Sequence, residues 1–291
     1  MGVVEQNIAM QSGWNIASFA VQPSEQDMLA IMQPMIDAEA LVKVQDESGA
    51  AIEELPMGWV NNIGDWSATE GYYIKTASEG ALILEGAALD LPLDIPLASG
   101  WNIISYPSLY GQSAMSAVQP LIDEGILVKV QNESGAAIEN LPFGWVNNIG
   151  DLVAGEGYYL KVNSAGTLTV QEPVEKTASA RDMTSAETSS PEHYVRENAG
   201  NPYNPMNIYC MLEEFSGTLL RSGWELGAYS DGQLVGSTVV TESALESGYL
   251  EIVAAMDDPT TEAVDGFTAD SPVTFYLWDG STDYEVTFRA A

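Results

Sequence analysis

Short stretches of alternating apolar and polar residues fill the first 170 positions, and this is the pattern of half-buried β-strands. ALVKVQDESGAAIEEL at 40–55 predicts a hairpin that turns at Glu-Ser-Gly. Two strands are predicted around a Ser-Gly turn at 8–21, and GYYIKT (71–76) and ALILEG (81–86) predict a last pair of strands. Tyr72 and Tyr73 are then expected on opposite faces of their strand.

A helical pattern interrupts the strands once in each half of this region. In SAVQPLIDEG (116–125), Ser116 is the expected N-cap, and Gln119 three residues later completes a capping box. Pro120 is expected in or next to the first turn, where a missing N–H has little effect. The other helix candidate, DMLAIMQPMIDAEA, is rich in methionine, and Pro34 is expected to bend or restart it.

The two halves repeat one another. The offset is 87 residues for SGWNI and 86 residues for GWVNNIGD, a period the size of a small domain rather than of a solenoid unit. The sequence therefore predicts two tandem copies of a small β-domain with one short helix, at 1–90 and 91–172. The recurring segments are SGWNI (12–16, 99–103), LVKVQ (41–45, 127–131), ESGAAIE (47–53, 133–139), GWVNNIGD (58–65, 144–151) and EGYY (70–73, 156–159).

The rest of the chain has a different pattern. Residues 173–192 are rich in Ser, Thr, Ala and Glu and are predicted to be a linker. From 193 to 291, short strand signals with Asp-Gly turns, such as Asp231-Gly232, predict a β-sandwich. The expected fold class is mainly β, with two small β-domains followed by a β-sandwich domain.

The composition of the chain argues against several classes of function. The chain has 9 Lys and Arg against 42 Asp and Glu, a net charge of −33, which argues against binding nucleic acid or anionic lipid. The acidic residues are spread along the chain, which favours a general surface property over one acidic patch. No stretch approaches the roughly 20 apolar residues of a membrane span, so no direct membrane insertion is expected. The N-terminus lacks the basic and apolar regions of a signal peptide.

The chain has one cysteine and one histidine, which excludes two further kinds of site. Cys210 is the only cysteine, so no internal disulfide can form. His193 is the only histidine, which excludes a multi-histidine metal site and leaves one possible base for a Ser-His-Asp triad.

The duplicated GWVNNIGD segment has two interpretations. Its asparagines and glycine favour a turn, and its tryptophans then plug the end of a small barrel. Alternatively, the tryptophans form exposed platforms for a glycan or peptide, and two platforms in tandem add avidity. The candidate ligand-binding residues are Trp59, Asn61, Asn62, Trp145, Asn147 and Asn148.

A second candidate site is the acidic segment MDDPTTEAVDGFTADSP at 256–272. Calcium prefers several oxygen ligands, and acidic loops between strands supply them, although the spacing is not that of an EF-hand. The alternative is a solvated acidic turn. The candidate metal ligands are Asp257, Asp258, Glu262, Asp265 and Asp270.

Three segments, SGWNIISYP, LVKVQNESGAA and NNIGDLVAGEGYYLKV, resemble a repeat found in large secreted and cell-surface proteins of Bacteroidetes and related environmental bacteria. The region that starts at GWELGAYSDGQLVGSTVV resembles a β-rich module that accompanies this repeat, with Trp224-Glu225-Leu226 where that module has Gly-Asp-Glu. The resemblance implies an extracellular or cell-surface location and a non-catalytic role, and the chain is then expected to be a piece of a longer protein.

Three functions follow from these observations. The first is a non-catalytic adhesion or ligand-binding segment of a bacterial surface protein, with a surface glycan as partner. The alternative is a structural spacer or a self-assembling subunit whose partner is another copy of the chain. A glycoside hydrolase that uses two carboxylates is a minor alternative.

Overall fold

The computed structural model describes residues 2–174, 190–196, 200–212 and 220–287. The protein is mainly β, as predicted, with three short helices in the described ranges. It divides into two compact units, Met1–Met183 and Thr184–Ala291. None of the helices in the described ranges has the length and apolar character that crossing a bilayer requires.

The first repeat consists of a five-stranded antiparallel sheet, a three-stranded antiparallel sheet and one helix. The order in the larger sheet is β2-β7-β4-β5-β6, and in the smaller sheet it is β1-β8-β3. The elements are β1 (Val3–Met10), β2 (Gly13–Ala17), β3 (Val21–Pro23), α1 (Met28–Asp37), β4 (Leu41–Gln45), β5 (Ala51–Leu55), β6 (Gly58–Asn61), β7 (Tyr72–Thr76) and β8 (Gly80–Ala88).

The second repeat builds its larger sheet in the same way, in the order β10-β16-β12-β13-β14. Two smaller pairs, β17-β9 and β11-β15, complete it. The elements are β9 (Leu93–Leu97), β10 (Gly100–Ser105), β11 (Gln112–Ser113), α2 (Ala114–Asp123), β12 (Leu127–Gln131), β13 (Ala137–Leu141), β14 (Gly144–Asn147), β15 (Asp151–Leu152), β16 (Gly157–Val162) and β17 (Gly166–Val170).

Each repeat has its own hydrophobic core. In the first repeat, methionines of α1 and the fully buried Tyr72 pack together, and in the second repeat Val118 and Leu121 of α2 pack around the fully buried Tyr158. The hydroxyl oxygens of both tyrosines accept a hydrogen bond from a backbone N–H, that of Ser67 at 2.7 Å and that of Val153 at 2.8 Å. These two buried hydroxyls are therefore satisfied in the same way in both repeats.

The predicted pairing of the last two strands is wrong. GYYIKT and ALILEG do form β7 and β8, but β7 lies between β2 and β4, whereas β8 lies between β1 and β3. Tyr72 and Tyr73 are both buried, so β7 is covered on its two faces and takes an interior position in the larger sheet.

The helix boundaries also differ from the prediction. The N-cap of α2 is Ser113, where β11 ends, and its Oγ accepts a hydrogen bond from the backbone N–H of Ser116 at 3.4 Å. Ser116 is therefore in the first turn, and Pro120 lies inside the helix. The helix α1 runs without interruption through Pro34 and does not restart there. Apolar packing of each helix on its own core outweighs the hydrogen bond that the proline removes.

The C-terminal unit contains two antiparallel sheets that share one core, as predicted for a β-sandwich-like module. The sheets are β18-β21 and β20-β19-β22-β23. The predicted hairpin turns at Asp231-Gly232, where both residues have positive φ (50° and 85°). The elements are β18 (Met206–Met211), β19 (Glu225–Ser230), β20 (Gln233–Val239), α3 (Glu242–Ser247), β21 (Tyr249–Ala254), β22 (Val273–Trp278) and β23 (Asp283–Val286).

Two details of this unit were not predicted. The short helix α3 begins at the N-cap Thr241 and ends at Gly248, which has a φ of 79°. Residues 175–189 of the predicted linker lie outside the described residues, but the backbone N–H groups of Glu192, His193 and Tyr194 donate hydrogen bonds to the Glu225 carboxylate. The end of the predicted linker is thus bound to β19.

Candidate functional site

The two repeats contact each other through reciprocal hydrogen bonds. Glu47 of the first repeat accepts a hydrogen bond from the backbone N–H of Ile103 at 3.1 Å, and Glu133 of the second repeat accepts one from Ile16 at 3.0 Å. Both glutamates belong to the duplicated ESGAAIE segment, and both isoleucines belong to SGWNI. The interface therefore has the self-complementary pattern of a two-fold dimer, within one chain.

Serine and glycine residues add contacts to this interface, and the two equivalent serines donate to carbonyls at non-equivalent positions. The hydroxyl of Ser18 donates to the backbone carbonyl of Glu156, and that of Ser105 donates to Ala68, both at 2.6 Å. A Cβ atom at Gly71 would lie 2.6 Å from the carbonyl oxygen of Ile104, so the EGYY segment needs glycine where the two backbones meet.

The aromatic rings of the interface break the symmetry. Tyr73 and Tyr159 meet edge to face, with ring centroids 5.7 Å apart. Trp14 stacks on Tyr73 at 4.3 Å and is 4% exposed. The equivalent Trp101 does not stack in this way. Its ring meets that of Tyr159 edge to face, with centroids 6.0 Å apart and an interplanar angle of 74°, and it is 48% exposed.

A cavity of about 190 Å³ lies beside the exposed tryptophan, and we name it the inter-repeat cleft. Its aromatic lining is Tyr73, Trp101 and Tyr159, with Ile103 next to them. The end of β4 and the turn that follows it supply the polar lining. These polar residues are Gln45, Asp46 and Glu47.

The surroundings of the cleft are acidic. Asp46 Oδ1 accepts hydrogen bonds from the backbone N–H groups of Ser48 and Ala50, both at 2.9 Å, which fixes the position of this carboxylate. Burial raises the pKa of the nearby Glu70 carboxyl above its ordinary value, and the charges of Glu47 and Asp46 raise it further.

This arrangement suits a small polar ligand with one flat face. Aromatic rings cover the apolar face of such a ligand, while carboxylate and amide oxygens accept hydrogen bonds from its hydroxyl or amino groups. The cavity is smaller than a typical drug-sized pocket of roughly 300–1,000 Å³. A ring-sized group therefore fills it, and the remainder of a longer ligand extends into solvent.

The predicted ligand-binding tryptophans lie elsewhere. Trp59 in β6 and Trp145 in β14 are half-buried and pack against the core of their own repeat. Neither of them lines the inter-repeat cleft.

The predicted asparagines organise a turn. Asn61 accepts hydrogen bonds from the backbone N–H groups of Ile63 and Gly64, and its amide donates to the side chain of Asp27, the N-cap of α1. Asn147 accepts the equivalent bonds from Ile149 and Gly150. In each repeat the turn also accepts the first backbone N–H of the helix, from Met28 and from Ala114.

The neighbouring asparagines have a different environment. Asn62 and Asn148 donate their backbone N–H groups to the carbonyls of Ala51 and Ala137. Ligand binding by the six residues of this motif stays a prediction. The structure gives the motif a second role, which is to hold the start of the helix.

The cleft residues could have been recognised in part. SGWNI and EGYY contain large aromatic residues next to core residues, so their strands are apolar on both faces. This pattern indicates a strand that is buried on both faces.

The predicted calcium loop closes on itself. Asp258 donates its backbone N–H to Asp265 Oδ1 and Asp265 donates its own to Asp257 Oδ1, both at 2.9 Å. Glu262 and Asp270 are exposed. In the part of the chain that the structure describes, no group of three or more acidic, histidine or cysteine side chains is placed to hold a metal ion. Calcium binding stays a prediction, which thermal unfolding with calcium or with a chelator tests.

The single histidine borders a second cavity, of about 370 Å³, in the C-terminal unit. Its Nε2 lies 2.9 Å from Asp283 Oδ1, and its ring stacks on Trp278 with centroids 3.9 Å apart. Arg196 and Gln233 line the same cavity. Cys210 is buried in the core of the C-terminal unit, and burial raises the pKa of its thiol to about 12.

Comparisons with known proteins add no relative. No protein-family model, no curated protein and no solved structure matches this chain, so the resemblance to bacterial surface repeats stays a prediction.

Proposed function

We propose that the two-repeat unit is a non-catalytic carbohydrate-binding unit of an extracellular surface protein, and that the inter-repeat cleft is its binding site. The observation that carries the proposal is the contrast between the exposed Trp101 and the buried Trp14, which occupy equivalent positions in two copies of one fold. Trp14 is stacked on Tyr73 and buried, whereas about half of the Trp101 side chain is exposed and accessible to a ligand.

The residues that line the inter-repeat cleft are suited to binding a sugar. Stacking of a sugar ring on tryptophan removes apolar C–H surface from water, and the surrounding polar groups fix its orientation. Gln45, Asp46 and Glu47 supply oxygen atoms beside the exposed ring, and oxygen acceptors complement sugar hydroxyls. The strongly acidic composition, with a net charge of −33, is consistent with a soluble unit that does not bind polyanions.

The first experiment is a glycan array that contains neutral, acidic and amino-sugar oligosaccharides, followed by calorimetric titration of the bound glycans. We expect Trp101→Ala to abolish binding without lowering the melting temperature. Asn62→Ala is the matched variant in the GWVNNIGD turn, and we expect it to bind normally. Loss of binding in Asn62→Ala with normal binding in Trp101→Ala would move the site to the turn, and an array without bound glycans would contradict the proposal.

Catalysis is tested in the same samples. A glycoside hydrolase needs two carboxyl groups on either side of the scissile bond, one of them with a raised pKa. Glu70 is the residue to examine, because its pKa is raised beside Glu47 and Asp46. We expect the bound oligosaccharides to remain intact, and hydrolysis that Glu70→Gln abolishes would replace the binding proposal with an enzyme.

A spacer or self-assembling subunit is the second candidate function. The reciprocal interface makes one compact unit of the two repeats, and their larger sheets end in the identical edge strands β6 and β14. Edge strands can pair between chains. Light scattering and electron microscopy at high protein concentration test this function, since filaments support it and a strictly monomeric particle contradicts self-assembly.

A further inference from the structure

We propose that the inter-repeat cleft selects sugars that carry a free ammonium group, such as glucosamine units, over neutral or N-acetylated sugars. This inference rests on the proposed function, because it names the class of ligand for the same cavity. It follows from the charge of the lining rather than from the aromatic rings.

The first argument is the combination of carboxylates and rings in one cavity. Asp46 and Glu47 line it together with Tyr73, Trp101 and Tyr159. A neutral sugar needs acceptors but gains little from two negative charges, whereas an ammonium group forms charge-assisted hydrogen bonds with carboxylates and is attracted to aromatic faces.

The second argument is the difference between the two turns. The first repeat has Asp46, and the second repeat has the neutral Asn132 at the equivalent position. Asp46 and the exposed Trp101 line the same cavity. Ser134 donates its hydroxyl to Asn132 Oδ1 at 2.9 Å, as Ser48 donates to Asp46 Oδ1 at 2.8 Å, so the turn needs the oxygen and not the charge. The extra charge is therefore available for a ligand.

The third argument concerns charges around the lining. The raised pKa of Glu70 reflects burial first and repulsion by Glu47 and Asp46 second, and a bound cation relieves that repulsion. The Lys161 ammonium lies 5.3 Å from the ring centroid of Trp101 and is not part of the cavity lining. Because Lys161 already supplies a cation to the Trp101 ring, Asp46 and Glu47 rather than this ring bind the ligand ammonium, and the chain charge of −33 attracts cations.

The test compares three disaccharides with the same β-1,4 linkage in calorimetric titrations of the full chain: glucosamine disaccharide, its N,N′-diacetyl form and cellobiose. At about pH 6 amines are protonated and most carboxylates are ionised. We expect the glucosamine disaccharide to bind about tenfold tighter than the other two, and the gap to shrink in about 1 M salt, where the Debye length is roughly 3 Å. Equal or tighter binding of cellobiose overturns the inference and keeps the proposed function. If none of the three disaccharides binds and the glycan array is also empty, both fail.

A pair of variants separates the cleft from general attraction to an acidic protein. Asp46→Asn copies the natural Asn132, so the turn is expected to fold. We expect it to weaken binding of the glucosamine disaccharide about tenfold and to leave cellobiose unaffected. Glu246→Gln removes one charge from an exposed position in α3 of the C-terminal unit and is expected to have no effect. Equal losses in the two variants would show non-specific attraction and overturn the inference.

Discussion

The two repeats share their motifs and the strand order of their larger sheets, yet the tryptophan at the equivalent position is buried in one and exposed in the other. Trp14 is 4% exposed and stacked, whereas Trp101 is 48% exposed. Both lie in SGWNI and both have a lysine ammonium above the ring, at 5.5 Å and 5.3 Å from the centroid. Identical residues at equivalent positions therefore have different environments in the two copies, and the proposed binding site lies at the copy in which the tryptophan is exposed.

The difference has a physical cause at the centre of the interface. Tyr73 and Tyr159 meet edge to face, which is a favourable arrangement for two aromatic rings. In such a pair one ring presents its edge and the other its face, so the two rings cannot be equivalent. An interface that is symmetric in its backbone hydrogen bonds thus becomes asymmetric in its aromatic contacts.

The largest difference in stability is expected between substitutions of the two tryptophans. Trp14→Ala removes a buried, stacked side chain and should lower the free energy of unfolding by about 3–5 kcal/mol. Trp101→Ala at the exposed position should change it by less than about 1 kcal/mol. Urea unfolding, followed by circular dichroism, measures both. Similar losses in the two variants would show that Trp101 is a structural residue and would weaken the proposed binding site.

The next effect concerns the glycine between the backbones. Gly71→Ala should lower the free energy of unfolding of the two-repeat unit by about 1–3 kcal/mol, because the new Cβ meets a backbone carbonyl of the other repeat. Gly80→Ala is the control, since its nearest neighbour is a methionine methyl at 4.0 Å. A neutral Gly71→Ala would mean that the repeats separate easily, and the cleft would not be a fixed feature.

Smaller losses are expected from the reciprocal glutamates. Glu47→Ala and Glu133→Ala each remove one hydrogen bond between the repeats, which corresponds to about 1 kcal/mol. Glu133 is half-buried and Glu47 is exposed, so Glu133→Ala should have the larger effect. Thermal unfolding of the single and double variants measures this order, and a larger loss in Glu47→Ala would contradict the interpretation from burial.

The smallest effect is a pH-dependent one at Glu70. Its pKa is raised in the folded state, so the ionised carboxylate opposes folding at neutral pH, and protonation removes that penalty as the pH falls through the folded-state pKa. Glu70→Gln should therefore raise the melting temperature at neutral pH, and the gain should vanish in acid.

Glu156→Gln is the matched variant in the second repeat. Glu156 accepts a hydrogen bond from the Tyr158 hydroxyl at 2.7 Å, and a neutral amide is a weaker acceptor than a carboxylate. We expect a lower melting temperature for this variant. A Glu70→Gln protein that is destabilised at neutral pH would show that the carboxylate supports the fold.

Local patterns predicted the elements better than their partners. The alternation in LVKVQ and the Glu-Ser-Gly turn gave a hairpin that the structure confirms, with Lys43 opposite Glu53. The pairing of β7 with β8 was wrong, because alternation identifies a strand but not its neighbours. Ser116 was wrong as N-cap, because the strand that ends at Ser113 decides where the helix begins.

For the candidate site, too, the sequence predicted the local turn but not the contacts between distant segments. The duplicated asparagines of GWVNNIGD were predicted to form a turn, and Asn61 and Asn147 do so with the same hydrogen bonds. The inter-repeat cleft was missed, because its lining comes from a turn of one repeat and strands of both, which lie far apart in the sequence.

The sequence by itself determined the mainly β fold, the duplication, the excess of negative charge and the absence of histidine clusters, since these follow from composition and short-range periodicity. Only the tertiary structure decided that the two repeats form a reciprocal interface and that one tryptophan is buried and the other exposed. Trp14 and Trp101 lie in the same pentapeptide SGWNI, so this segment does not distinguish them. Their exposure depends on how two tyrosine rings from different repeats pack against each other, and that is a property of the assembled core.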